Sequence, residues 1–289
     1  MKYSVLIIFS ALLIACSGPK YPAGVEDVLL MSGDNRVELE KVFEHYHQQS
    51  DSLKLKAAYF LIGNMGDKHS YITFVLVDST ENVIPFDVLE YDNYNALLDA
   101  WDLIEEENGK VNFKRDQFIK DQETVTSDYL IKNIDLAFEA WEKPWASHLN
   151  FKQFCEFILP YRSSNEPVEE WRSYFLDEYS WLIDSMKNRP EPVMACTYIN
   201  NEIKSWFRFD ERYYEHPTDQ GLSEILEAKM GRCEDMTNLA IFAMRAWGIP
   251  VMSDYTPYWA NTGNNHAWNA ILDENGKTII FMGGEANPY

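Results

Sequence analysis

The sequence predicts an α+β protein: a mostly helical N-terminal region, then a smaller unit in which one helix packs on a small antiparallel sheet. Three observations predict it. Between about residues 37 and 189 apolar side chains recur mostly at helical spacing. Asn188-Arg189-Pro190-Glu191-Pro192 then interrupts the chain where no helix can continue. Beyond it, a helical segment that opens on Cys233 is followed by two strand-like segments.

Composition narrows the function classes. Among 289 residues, 46 acidic and 25 basic side chains give a formal charge of -21. The 9 Trp, 17 Tyr and 16 Phe can bury enough surface to offset chain entropy, so the chain folds. Nucleic acid is excluded as a partner, because so acidic a body repels phosphates. The same sign argues against polybasic attachment to anionic lipid.

A membrane device of another kind stands at the start. Met1 and Lys2 are a short positive region, and Val5 to Ile14 is apolar but too short to span a bilayer. Leu13-Ile14-Ala15-Cys16 follows and resembles a bacterial lipobox. The resemblance implies cleavage before Cys16, transfer of diacylglycerol to its thiol, and, with Ser17 next, sorting to the outer membrane. Residues 1–15 are then a signal peptide, and no other apolar run approaches 18 residues. Three cysteines remain, Cys155, Cys196 and Cys233, an odd number that leaves at least one free thiol in an exported protein.

Residues 16–190 are expected to form the helical region. Asp34 is placed to cap a helix through Tyr46, with Val37, Val42, Phe43 and Tyr46 near one face. Ser52 to Ile62 repeats the pattern, whereas Tyr71 to Val77 is β-branched and aromatic, a possible strand. Helices follow at Tyr94 to Glu105, Asp128 to Trp141 and Phe151 to Leu159. Another runs over Val168 to Met186, where Trp171, Phe175, Tyr179 and Leu182 form one stripe. Cys155 and Cys196 sit in apolar helical stretches and read as core thiols, with a disulfide between them as the alternative.

Residues 191–289 carry the chemistry. A helix over Val193 to Trp206 and a short one near Leu222 to Ala228 precede Gly231-Arg232-Cys233-Glu234-Asp235. From Cys233 a helix turns Met236, Leu239, Ala240, Ala243 and Met244 to a core and stops at Gly248. At a helix N-terminus unpaired amides favour the thiolate; Glu234 and Asp235 oppose it by charge. Pro250 to Thr256 reads as a strand, and His266-Ala267-Trp268-Asn269-Ala270-Ile271-Leu272 as a second.

Gly231 and Cys233, Arg245 with Gly248-Ile249-Pro250, and His266-Ala267-Trp268 together resemble the transglutaminase-like superfamily. The resemblance implies a papain-like order, with a nucleophilic Cys at a helix start, a His on a later strand and an acid on the next. It makes Cys233 the nucleophile and His266 its base, with no cofactor. Leu159-Pro160-Tyr161-Arg162 and the helices before it are similar to the upstream part of transglutaminase-like lipoproteins of Bacteroides-type bacteria. Related cores usually continue with more sheet, whereas this sequence stops at Asn287-Pro288-Tyr289, so the core is expected to be truncated.

The third member is harder to find. Asp273-Glu274-Asn275-Gly276 is a turn, so the His strand and Lys277 to Met282 form a hairpin. With Leu272 opposite Lys277, Gly283 faces His266; a one-residue change makes it Gly284. The nearest acid is Glu285, on the His266 face in the first register and turned away in the second. Asp254 and Asn269 are lesser candidates.

Such a site suits amides. A thiolate attacks the carbonyl, an oxyanion forms, imidazolium protonates the amine, and a thioester remains for water. The expectation is an exported hydrolase of peptide, protein or glycoconjugate amides, held by Cys16 at the outer membrane. The alternative is a binding or scaffold lipoprotein that keeps the fold without the chemistry. A metal site using Cys233 and His266 lacks further ligands at suitable spacing, and the other histidines read as surface or packed residues.

Overall fold

The computed structural model describes residues 20–71, 74–115, 117–260, 263 and 265–289; the leader and Cys16 lie outside them. The helices are α1 (Ala23–Met31), α2 (Arg36–His45), α3 (Ser52–Gly63), α4 (Tyr94–Asn108), α5 (Asp121–Thr124), α6 (Ser127–Trp141) and α7 (Phe151–Phe157). They continue as α8 (Trp171–Glu178), α9 (Leu182–Ser185), α10 (Pro192–Trp206), α11 (Leu222–Ala228) and α12 (Cys233–Ala246). The strands are β1 (His69–Tyr71), β2 (Val75–Val77), β3 (Val83–Ile84), β4 (Asn112–Lys114), β5 (Phe118–Lys120), β6 (Arg208–Phe209), β7 (Met230–Gly231), β8 (Val251–Thr256), β9 (His266–Leu272) and β10 (Thr278–Phe281). The chain is therefore α+β, as its periodicities imply.

Two apolar clusters organise it. One gathers side chains of α1, α2, α3, α6 and α7. The other gathers α8 to α12 with the sheet β10-β9-β8. The stripe Trp171, Phe175, Tyr179 and Leu182 is buried, but in the second cluster and over two short helices instead of one, with Tyr179 just past the end of the first. The second cluster thus takes in side chains ahead of the Pro190-Glu191-Pro192 punctuation, Trp145 among them. Pro192 instead starts α10 at its first turn, where the missing N–H costs nothing. The possible strand at Tyr71 to Val77 appears as parts of β1 and β2, with Ile72 and Thr73 outside the described residues. Val37 is exposed, off the buried face of α2 that Leu39, Val42 and Phe43 form.

α12 is the centre of the second cluster: every residue of it except Glu234 is buried. A helix buried all round must pair its polar groups with protein. Asn238 accepts from Ser163 Oγ at 2.6 Å and donates to Ser164 Oγ at 3.0 Å. Arg245 donates to the carbonyls of Phe157, Pro160 and Arg162 at 3.3, 3.4 and 2.6 Å. Arg172 donates to the carbonyls of Arg245 and Ile158 at 2.8 and 2.9 Å and to Asn133 Oδ1 at 3.0 Å. Burial pulls both guanidinium groups below the ordinary arginine range, and each is held by carbonyl or amide oxygens instead of a carboxylate. The Leu159-Pro160-Tyr161-Arg162 segment is thereby fixed to the Cys helix.

α12 ends as expected at Gly248, whose φ of +72° suits glycine, with Ile249 N–H donating to Met244 O at 2.9 Å. Trp171 stacks on Phe242 with ring centres 5.2 Å apart and donates its indole N–H to Tyr161 O at 2.9 Å. Arg245→Met fills similar space but leaves three carbonyls short of a donor. We expect urea denaturation to show a loss of about 3 kcal/mol relative to wild type.

Candidate functional site

Two local devices place the thiol. Asp235 closes the start of α12, its Oδ2 accepting Arg232 N–H at 3.0 Å and its Oδ1 accepting Gln220 N–H at 2.9 Å. Gly231 is required there, because a Cβ would stand 2.6 Å from Gln220 Nε2 and 2.7 Å from Asp235 Cβ. Cys233 is thereby fixed as the first residue of α12 and is 4% exposed.

Strand β9 meets it from the other side. Leu272 N–H donates to Pro250 O, toward β8, so by alternation the N–H of Ala267 points to the β10 side. The β10 ladder stops at Phe281 opposite Asn269, leaving that N–H free of a strand partner. The Cys233 sulfur lies close enough to it, and to the backbone N–H of Glu234, for both to favour the thiolate. The thiol therefore rests against the peptide that joins His266 to Ala267.

Side chains of β9 alternate about this edge. Ala267, Asn269 and Ile271 are buried on the α12 face, where Asn269 donates to Thr237 O at 3.0 Å and accepts Gly283 N–H at 3.1 Å. Asn269 is thus a structural bridge. His266 and Trp268 take the opposite face and line a cavity of about 390 Å³ with Asp254, Trp259 and Ile280. The imidazole packs edge-on to Trp259, centres 5.1 Å apart, and beside Trp268 at 5.8 Å. Among the described residues, no hydrogen bond joins His266 to Cys233 or to a carboxylate.

Glu285 does not fill that role. The hairpin pairs Leu272 with Thr278, not Lys277, because Asp273 Oδ1 accepts the N–H groups of Asn275 and Lys277 and Gly276 turns at φ +77°. This is the register in which Glu285 faces away. The strand then bends, Met282 bridging Ala286, and Glu285 stands exposed in the turn. Asn200 on α10 holds the bend, accepting Gly284 N–H at 2.7 Å and donating to Ala286 O at 3.1 Å. Nor could an acid stand at 283, since a Cβ there would lie 2.5 Å from Met236 O and 2.6 Å from Ala240 Cβ.

The carboxylate that does reach the thiol is Glu234, whose Oε2 accepts from Cys233 Sγ at 3.0 Å. Its Oε1 accepts Asn265 Nδ2 at 3.0 Å, and Arg232 Nε lies 3.3 Å from Oε2. Arg232 also donates to Asp219 at 2.9 Å and to His216 O at 2.8 Å. Burial first, then Glu234 by hydrogen bond and charge, pushes the thiol up to about 11, against the two N–H groups that lower it. Burial of the thiol thus opposes the thiolate that the helix N-terminus was expected to favour. Sequence reasoning weighed Glu234 as an opposing charge and as an ordinary first-turn residue; its adjacency to Cys233, and that of Asn265 to His266, was the available signal.

Cys155 and Cys196 are free and buried, so the alternative of a disulfide between them is not realised. Cys196 packs its sulfur 3.7 Å from Met244 Sδ. Among the described residues no group of His, Cys, Asp and Glu is arranged to hold a metal ion.

Residues 170–281 match the model of the Transglutaminase-like superfamily. Over these residues the chain is similar to that superfamily, and they hold most of the second apolar cluster. A solved structure from Cytophaga hutchinsonii, described as a candidate cysteine protease, aligns over 41% of this chain at 17% identity with a TM-score of 0.29. The alignment spans 38% of that protein's own length. No curated protein matches the chain.

A buried thiol pushed up to about 11 labels slowly. Iodoacetamide modification of native Cys233, followed by peptide mass spectrometry, is expected to climb about tenfold per pH unit from pH 8 to about pH 10. The same peptide in urea should level off near pH 9.

Proposed function

We propose that the transglutaminase-like domain is a thiol-dependent hydrolase of peptide, protein or glycoconjugate amides, with Cys233 as nucleophile and His266 as base. The observation that carries this reading is that the backbone N–H of Ala267, the residue after His266, is directed at the Cys233 sulfur, while the His266 side chain lines a cavity on the other face of β9. Nucleophile and base thus share one short stretch of backbone. In the resting site the proton stays on sulfur and is shared with Glu234. Reaction needs the thiol to turn from Glu234 and hand that proton to His266. The thiolate then attacks the amide carbonyl, and the Cys233 N–H at the start of α12 faces the oxyanion. Imidazolium protonates the leaving amine, and water releases the acid from the thioester.

The reading extends to location. Cys16 carries the acyl chains, Ser17 directs the protein to the outer membrane, and the acidic body lies off the lipid surface, away from nucleic acid. Cys16→Ala is expected to move the protein from the membrane to the soluble fraction on centrifugation.

A second reading, a binding or scaffold lipoprotein without chemistry, is favoured by one specific observation: no carboxylate among the described residues holds the imidazole. The two part on activity. Screened against peptide amides, the hydrolase loses at least about 10³-fold in kcat/KM with Cys233→Ala and about 10²-fold or more with His266→Ala. Hydrolysis that survives Cys233→Ala, or a ligand bound without turnover, supports the binding reading instead.

A further inference from the structure

We propose that Glu234 is the working carboxylate of this site, a positioning residue that ties the nucleophile to the strand of the base. The inference rests on the hydrolase reading and gives Glu234 a different role from the imidazole-holding acid sought in Glu285. Glu234 is the one residue of α12 that escapes burial, although it stands between Cys233 and Asp235, which do not. Its two oxygens face different elements: Oε2 holds the Cys233 Sγ–H at 3.0 Å, and Oε1 holds the Asn265 amide at 3.0 Å. Asn265 directly precedes His266, so one carboxylate fixes both the sulfur and the backbone that introduces the imidazole. No other described carboxylate bonds to the thiol.

The surroundings keep that carboxylate in place. Arg232, one turn position before the helix, lies 3.3 Å from Oε2 and is itself held by Asp219 and by His216 O. Asp235 is directed away to Gln220 and the Arg232 backbone. From the 211–215 turn Tyr214 adds a phenol close enough to feel the Cys233 charge, and β9 adds His266. Around the sulfur the groups that titrate or carry charge are therefore Glu234, Arg232, Asp219, Asp235, Tyr214 and His266. Glu234 alone among them accepts the thiol proton's hydrogen bond.

The arrangement has a consequence for the resting enzyme. A carboxylate at 3.0 Å repels a thiolate and accepts from a thiol, so contact with Glu234 and ionisation of Cys233 exclude one another. A substrate that draws Glu234 toward Asn265 or Arg232 frees the sulfur next to His266. Cys233 thus stays unreactive toward small electrophiles until the cleft is filled.

The test uses the intact protein and follows iodoacetamide labelling of the Cys233 peptide from pH 6 to 11, beside hydrolysis of a peptide amide. Glu234→Gln keeps the size and the acceptor for Asn265 but removes the charge. It is expected to speed labelling at pH 8 about tenfold and move the profile to lower pH. Asn265→Ala is expected to leave labelling slow, since Glu234 still holds the thiol, while kcat falls about tenfold at unchanged KM. Identical labelling profiles for wild type and Glu234→Gln, with far-ultraviolet circular dichroism confirming the fold, overturn the proposal. That result with hydrolysis still lost in Cys233→Ala leaves the hydrolase reading standing. A shifted profile with hydrolysis untouched by Cys233→Ala sinks the hydrolase reading and retains the Glu234 contact with the thiol.

Discussion

The rest of the structure depends on two buried arginines. Arg172 on α8 and Arg245 on α12 gather the carbonyls of Phe157, Ile158, Pro160 and Arg162 where α7 ends, groups that no helix can pair and no water reaches. A carbonyl cluster cannot be satisfied by apolar packing, and two planar guanidiniums supply enough donors in fixed directions to close it. Because one arginine belongs to α12, the arrangement fixes the Cys helix against the helical region. The buried pair of Arg162 and Asp121, 2.5 Å apart, continues the joint, with Tyr161 donating to the same carboxylate at 2.7 Å. Neither apolar cluster is an independent platform: the thiol is placed by contacts that originate in both.

Burial of α12 on all sides has a cost at its first residue. The helix N-terminus offers the sulfur backbone N–H groups, yet desolvation of a thiolate exceeds what they return, and the sulfur keeps its proton. Precision and reactivity are in opposition here. The packing that fixes Cys233 to within a hydrogen bond of β9 is the packing that disfavours its charge. Under the proposed hydrolase reading, the thiol is freed only when something replaces the contact with Glu234, which makes activation a property of the occupied cleft.

Much was legible one segment at a time. The stop at Gly248, the strand beginning at His266 and the helices α6, α10 and α11 follow from caps, periodicity and turn residues, all local signals. The stripe on Trp171, Phe175, Tyr179 and Leu182 also predicted burial, but not which cluster received it, because a stripe does not name its partner. The prolines near residue 190 have a related limit: they mark where a helix cannot continue, and a helix can also begin there. The small sheet β3-β2-β4 went largely unseen, since strands of two and three residues carry too little alternation to register.

By itself, the sequence determined the class of fold, and it marked Gly231-Arg232-Cys233 and His266-Ala267-Trp268 as the segments proposed to carry thiol chemistry, because each is contiguous. Tertiary structure alone decided where the carboxylates stand and how exposed the thiol is. A hairpin register hangs on how Asp273 closes one turn, and that single residue of slip carries Glu285 off the face of His266. Whether Cys233 keeps its proton hangs on how much water reaches it and which carboxylate stands beside it. Both are facts about neighbours distant in the chain, and no local pattern encodes them.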